Sequence, residues 1–288
     1  MDVGLTASIT GAFCQALNYV LTQKCQDNVN ATGIQIIIAV HIGMGILAAI
    51  PFIGFQLWST VSFDHVVPLL MVNIPYISAQ VLLLAALQKS GASIISPLLT
   101  LKIPILAALG FVLLGDTLNL QQLFAVLGIL VLAICLSKSA GKIDWAPLLL
   151  ISLACLGYAI SDHSITQYSK SLQNFSELDQ VWVTVTINYL FCGLICLISA
   201  LPCKVDHHLV FKCKWISVTW LMAVTLLVLG FKSSGVLQAN VAQSLRGVFG
   251  VALAYTFLRT TPAPSTLSPP RKLSIAAGMI VAVAIFFS

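Results

Sequence analysis

Apolar runs long enough to cross a bilayer recur along the whole of this chain, and two of them hold a lone cation near the centre, Lys102 and Arg246. About 20 residues of helix span the roughly 30 Å of hydrocarbon in a membrane. Inside that layer every backbone amide and carbonyl must find a partner within the protein, which leaves the helix or the closed barrel. Runs of this length favour the helix. Hydrophobic residues make up 59% of the 288 and charged residues only 8%, against roughly a quarter charged in soluble domains. The chain therefore reads as an all-α, polytopic membrane protein with the lipid bilayer as its solvent and no room for a sizeable soluble domain. Its formal net charge of +5 belongs to the loops and points to no nucleic-acid partner. The first run begins at Val3 without a basic leader and reads as a retained helix, not a signal peptide.

The pattern predicts ten transmembrane helices, at roughly 3–23, 33–55, 66–87, 92–114, 120–137, 146–168, 180–201, 215–231, 235–258 and 273–288. The fifth and tenth are short for spanning, which tilt or local thinning accommodates. Residues 260–272, rich in proline, serine and threonine, read as an extended connection. The polar stretch at 137–146 divides the helices into a first five-helix repeat over residues 1–140 and a second over 141–288. An odd number of helices per copy makes the copies point opposite ways, so two inverted five-helix repeats around a central cavity are expected. The segment "SGASIISPLLTLKIPILAAL" (90–109) lies over "SGVLQANVAQSLRGVFGVAL" (234–253) at an offset of 144. Thr100 then faces Ser244, and Lys102 lands on Arg246. Secondary transporters commonly carry such repeats, with the binding site near the midplane where they meet.

Lys102 stands about ten residues from either end of its run, roughly 15 Å from each surface at 1.5 Å per residue. That is too deep for its side chain to snorkel out unaided, and lipid exposure would be costly. Both cations should face the bundle interior, where each either pairs with a carboxylate or meets an anion. Asp162 is the one carboxylate well inside a helix, so one positive charge is left over. Pro97 and Pro104 flank Lys102 and free carbonyls from the helical ladder, as either a cavity-lining hinge or a packed kink. The second copy has Val241 and Val248 there, and supplies Gln238, Asn240, Gln243 and Ser244 instead, with Gly247 and Gly250 permitting close approach. Tyr158, Asp162 and Thr166 recur four apart on one face with His163 beside them, and Asn73, Tyr76 and Gln80 surround another proline. Asn188 with Tyr189, and Gln15 with Asn18 and Tyr19, are further intramembrane polar groups, and His41 stands alone. Each is either substrate lining or the hydrogen-bonded glue between helices. Asp162 could steady Arg246, carry a proton, or bind the cationic part of a zwitterion.

Outside the membrane the chemistry is sparse. Cys203, His207, His208 and Cys213 are zinc-ligand types, but their spacing matches no recognised motif and no metal is assigned. No phosphate loop, metalloprotease motif or nucleophile elbow is present, so neither a cofactor nor an enzymatic activity is expected.

Ten helices in two halves, with "AALQKSGASIISPLLTLKIPILAALGFVLLGDTLNLQQLFAVLGILVLAICL" (85–136) as the best local match, resemble the drug/metabolite transporter superfamily, particularly its EamA-type members. Pro97, Pro104, Asp116 and Gly128 stand where that pattern has its prolines, acidic residue and glycine, with aspartate replacing the usual glutamate. Residues 232–258 resemble the corresponding segment of the second half but lack its proline, and Arg259 with Thr260 replaces the usual glycine–acid pair. By this resemblance, Lys102 and Arg246 match the basic residues that transporters of nucleotide sugars and phosphorylated metabolites place in the fourth and ninth helices. The family also includes exporters of amino acids and of neutral or cationic compounds.

The residues favour a secondary transporter of a small organic anion, phosphorylated metabolite or zwitterion, working by alternating access around a central basic site. It would couple to a proton or counter-substrate and reside in a plasma or inner membrane. Lys102, Arg246, Asp162, His163, Tyr76, Asn73, Tyr158, Gln243, Ser244 and Asn188 are the expected binding set, with Pro97, Pro104 and Gly247 shaping the cavity. The alternatives are a transporter of amino acids, amines or drug-like compounds, and a non-transport assembly subunit. Lysines and arginines crowd the loops that follow odd-numbered helices, which places those loops in the cytoplasm and both termini outside. The resemblance implies the opposite orientation.

Overall fold

The computed structural model describes residues 2–90, 95, 97–115, 117–140, 144–257 and 269–288. Asp116, Arg259, Thr260 and the start of the 260–272 connection lie outside the described residues. The first half holds α1 (Val3–Asn28), α2 (Gly33–Gly54), α3 (Val66–Ser90), α4 (Lys102–Leu114) and α5 (Leu120–Ala140). The second holds α6 (Trp145–Ser171), α7 (Glu177–Ala200), the short α8 (His207–Lys212), α9 (Lys214–Ser234), α10 (Val236–Gln243), α11 (Arg246–Phe257) and α12 (Pro269–Phe287). Six of these are long and apolar enough to cross a membrane, namely α2, α3, α5, α6, α7 and α9. The fifth and tenth predicted helices are longer than expected, reaching Ala140 and starting at Pro269.

Polar side chains set the helix starts. Asp2 accepts from the Gly4 amide at α1, and Thr32 and Gln35 form a reciprocal capping box at α2. At α7, Ser176 accepts from the Asp179 amide, while Glu177 and Asp179 oppose the positive end of the helix dipole. Large apolar side chains such as Ile46, Ile50, Phe124 and Ile198 stand exposed on the outer surface, as expected of helices whose solvent is lipid.

The fourth and ninth predicted segments are not continuous helices. Before Lys102 the chain tightens into a 3₁₀ turn at Leu99–Leu101. Pro104 enforces this, because its ring clashes with the carbonyl four residues back and it has no amide to offer there. In the ninth segment no proline acts, yet the chain breaks at Ser244 and Leu245 between α10 and α11. Thr100 Oγ1 donates to the Pro97 carbonyl at 2.8 Å, and Ser244 Oγ donates to the Val241 carbonyl at 2.6 Å. Both hydroxyls bond three residues back, at positions 144 apart, and each competes with the backbone for its own carbonyl.

The principal packing pairs are α3 with α6, α1 with α9, α2 with α7, and α5 with α12. In addition α4 packs on α6 and on α10, while α1 packs on α10 and α11. Exchanging the two halves leaves this set unchanged. Glycines make the crossings close. A Cβ on Gly157 would meet the Pro75 carbonyl at 2.7 Å where α6 crosses α3, and one on Gly11 would meet the Ala223 carbonyl at 3.2 Å where α1 crosses α9. Where α2 crosses α7, Gly45 and Gly193 face each other so closely that a Cβ on either would lie under 3 Å from the other's Cα. Gly247 and Gly250 do not serve this purpose, because among the described residues a Cβ on either would meet nothing within 4 Å. Their segment lies open on that side.

Gly45→Leu or Gly193→Leu should destabilise the protein by about 1–3 kcal/mol through overpacking. Gly54→Leu, at a glycine with open space around it, should leave the melting temperature in detergent unchanged. Thermal unfolding followed by size-exclusion chromatography measures both.

Candidate substrate cavity

Breaking the fourth and ninth segments brings both cations to the first residue of a new helix, Lys102 at α4 and Arg246 at α11. The Lys102 amide is already taken by the Leu99 and Thr100 carbonyls, and the Gly247 amide by the Ser244 carbonyl, so the positive charge offered here is that of the side chains. Lys102 is 6% exposed and Arg246 8%. Lys102 Nζ donates to Asp162 Oδ2 at 2.7 Å and to Gln243 Oε1 at 3.3 Å. The same Asp162 oxygen accepts from Asn240 Nδ2 at 2.9 Å. Gln243 Nε2 passes the chain on to Gln15 Oε1 at 2.5 Å, and that oxygen also accepts from Arg246 Nη1 at 3.3 Å. A single run of contacts thus joins α6, α4, α10, α1 and α11.

The two cations are not equivalent. Asp162 pairs with Lys102 and does not steady Arg246. Arg246 Nε is buried without a hydrogen-bond partner among the described residues, as are Asn240 Oδ1 and the Tyr158 hydroxyl. A buried guanidinium held only by a neutral amide keeps most of its fork free for an anion. Summed over Lys102, Arg246 and Asp162, the cluster carries one positive charge.

These groups line a cavity of about 60 Å³. Of the expected set, Lys102, Arg246, Asp162 and Gln243 lie on its wall, as do Tyr76, Tyr158 and Asn188. Tyr76 is held from three sides. His41 Nδ1 can only donate to the Ile37 carbonyl, 2.8 Å away, so in the neutral ring Nε2 accepts from the Tyr76 hydroxyl at 3.1 Å. The Tyr76 oxygen accepts in turn from Trp220 Nε1 at 2.7 Å and Gln80 Nε2 at 3.1 Å. Its hydrogen-bonding capacity is spent, and what it offers the cavity is its ring.

The other expected residues fall elsewhere, for local reasons. His163 is one position round the helix from Asp162 and meets Gln167 on the outer side. Asn73 is fully buried and spends its amide on the Leu69 carbonyl and on Asn188 Oδ1, as glue between α3 and α7. Ser244 makes the helix break and does not reach the cavity. Pro97, Pro104 and Gly247 are absent from the wall and act on the backbone only. Cys203, His207, His208 and Cys213 form no cluster that could hold a metal among the described residues. Gln15 and Tyr19 are on the wall, and their spacing of four on one helix face was the available signal. Trp220 also lines the cavity, and nothing in its apolar surroundings marked it.

Residues 2–138 match the family model described as the EamA-like transporter family. One solved crystal structure is similar in fold, with a TM-score of 0.67 at 13% identity, covering 98% of this chain and 94% of that one. No curated protein matches the chain in sequence.

Removing one partner of a buried ion pair costs about 3–5 kcal/mol, because the other charge is stranded. Lys102→Met and Asp162→Asn should therefore each lower the melting temperature sharply, and the double variant should recover most of that loss. Thermal unfolding of the three variants in one detergent checks the sign of the coupling.

Proposed function

We propose that this chain, whose residues 2–138 match the EamA-like transporter family, is a secondary transporter of a small organic anion, phosphorylated metabolite or zwitterion. The family is one of membrane transporters, and this is a multi-pass membrane protein. The observation that carries the anionic reading is the buried, nearly unpartnered guanidinium of Arg246 beside the Lys102–Asp162 pair on the wall of a single cavity. Arginine suits the role through its planar donor fork.

Several features of the architecture support alternating access. The cavity is walled by α1, α3 and α4 and by α6, α7, α9, α10 and α11, so both halves contribute. Packing pairs that survive exchange of the halves support ten crossings in two inverted five-helix repeats, over 1–140 and 141–288. The broken helices at Lys102 and Arg246 meet where such repeats would rock about the site. An amine or amino-acid substrate receives less support, since Asp162 is already taken by Lys102 and Asn240.

Uptake into proteoliposomes from a panel of charged metabolites tests the function. Arg246→Gln should cut anion uptake by about tenfold or more, by the loss of a charge-assisted bond. If neutralising Arg246 leaves transport and affinity of every anion unchanged, the anion site is wrong. If Asp162→Asn instead abolishes uptake of cations alone, the amine reading takes its place.

Orientation follows the loop charges, with both termini outside and the basic loops in the cytoplasm. In a variant lacking the exposed Cys135, an impermeant maleimide should label a cysteine at Asn174 in intact cells. One at Asn30 should stay shielded until the membrane is opened. The reverse result inverts the molecule.

A further inference from the structure

Within the anion-transporter reading, on which this rests, charge and shape narrow the substrate class. The cluster of Lys102, Arg246 and Asp162 has one positive charge in excess, and it resides on Arg246. Asp162 already accepts from Lys102 at 2.7 Å and from Asn240 at 2.9 Å. An incoming ammonium would have to displace Lys102 and strand it. A dianionic phosphate would turn the excess of one positive charge into an excess of one negative charge, in a site with little water to screen it. A single carboxylate brings the sum to zero and meets the donor fork of Arg246, whose Nε lies buried and unpartnered.

Much of the rest of the wall is aromatic, beside aliphatic side chains such as Val72, Ile165 and Leu227. Tyr19, Tyr76, Tyr158, Tyr189 and Trp220 all line the cavity. The ring centroids of Tyr19 and Trp220 are 6.1 Å apart, as are those of Tyr76 and Tyr158. Tyr76 has no hydroxyl capacity left for a polar ligand. These ring faces suit a flat apolar body.

We propose that the substrate is a compact monocarboxylate with an aromatic body, its carboxylate on Arg246 and its ring among Tyr19, Tyr158 and Trp220. Five probes separate head from body: phenylacetate, phenyl phosphate, phenylalanine, phenethylamine and acetate. Each is titrated against purified full-length protein at pH 7.5 by calorimetry, and its radiolabelled uptake into proteoliposomes is measured against empty vesicles. Phenylacetate should bind at least about tenfold more tightly than any of the other four. Arg246→Gln should weaken it by about tenfold or more, and Trp220→Leu should weaken phenylacetate more than acetate. The ranking on the unmodified protein stands even if a variant fails to fold. Phenyl phosphate, phenylalanine or phenethylamine binding more tightly than phenylacetate would overturn the monocarboxylate proposal, and for the first two leave the broader transporter reading standing. Acetate binding as well as phenylacetate would remove the aromatic half of the proposal. Saturable binding and uptake of none of the five, by protein that unfolds cooperatively, would overturn the monocarboxylate proposal, and the wider metabolite panel then decides the transporter reading separately.

Discussion

Lys102 Nζ lies 2.7 Å from Asp162 Oδ2 inside a bundle whose outer surface is built for lipid, and the arrangement of the surrounding helices answers to that contact. An ammonium and a carboxylate withdrawn from water each lose several kcal/mol of solvation. They regain it only if their geometry is good and their remaining donors and acceptors are met. Asn240 and Gln243 from α10 supply those partners. The pair therefore binds the first half to the second through α4, α6 and α10. Arg246 enters the same run of contacts through Gln15 but receives no carboxylate. That asymmetry gives the cavity its sign.

Two helix breaks deliver the cations to this place. A regular α-helix through the fourth or ninth segment would carry Lys102 and Arg246 in a different register. Broken at Thr100 and Ser244, each chain restarts with a cation at its first residue. The hydroxyl bonds that accompany the breaks are alike in the two halves, although proline assists only the first. Close glycine crossings, at Gly45 with Gly193 above all, let the helices approach without large side chains between them. Lateral support for the cavity comes from the His41–Tyr76–Trp220 network, which ties α2, α3 and α9 and turns a tyrosine into an apolar wall.

Long apolar runs made the helices legible in the sequence, because hydrocarbon permits few other structures and tolerates few charges. The burial of both cations was legible for the same reason, as was the availability of Asp162 as a partner. Their different fates were not. Which cation takes the carboxylate depends on distances between helices remote in sequence, and residue 162 approaches 102 only after α4 and α6 pack. Ser244 was read as a ligand because a buried hydroxyl in an apolar run suggests one. Its short bond to Val241 depends on a backbone turn that helical periodicity does not encode. His163 and Asn73 failed as cavity residues because neighbours on a helix point about 100° apart, and only packing decides which face meets the cavity.

What the sequence determined by itself was a lipid-solvated helical chain with two buried cations and too few acids to neutralise them. Those features follow from composition and spacing, since the free energy of placing apolar or charged groups in hydrocarbon depends on residue type and depth. The tertiary structure alone decided that Lys102 is paired and Arg246 is available, and that tyrosines and a tryptophan from five helices share one wall. The reason is geometric: hydrogen bonds and ion pairs fade within a few ångströms, so their partners are set by how the helices cross.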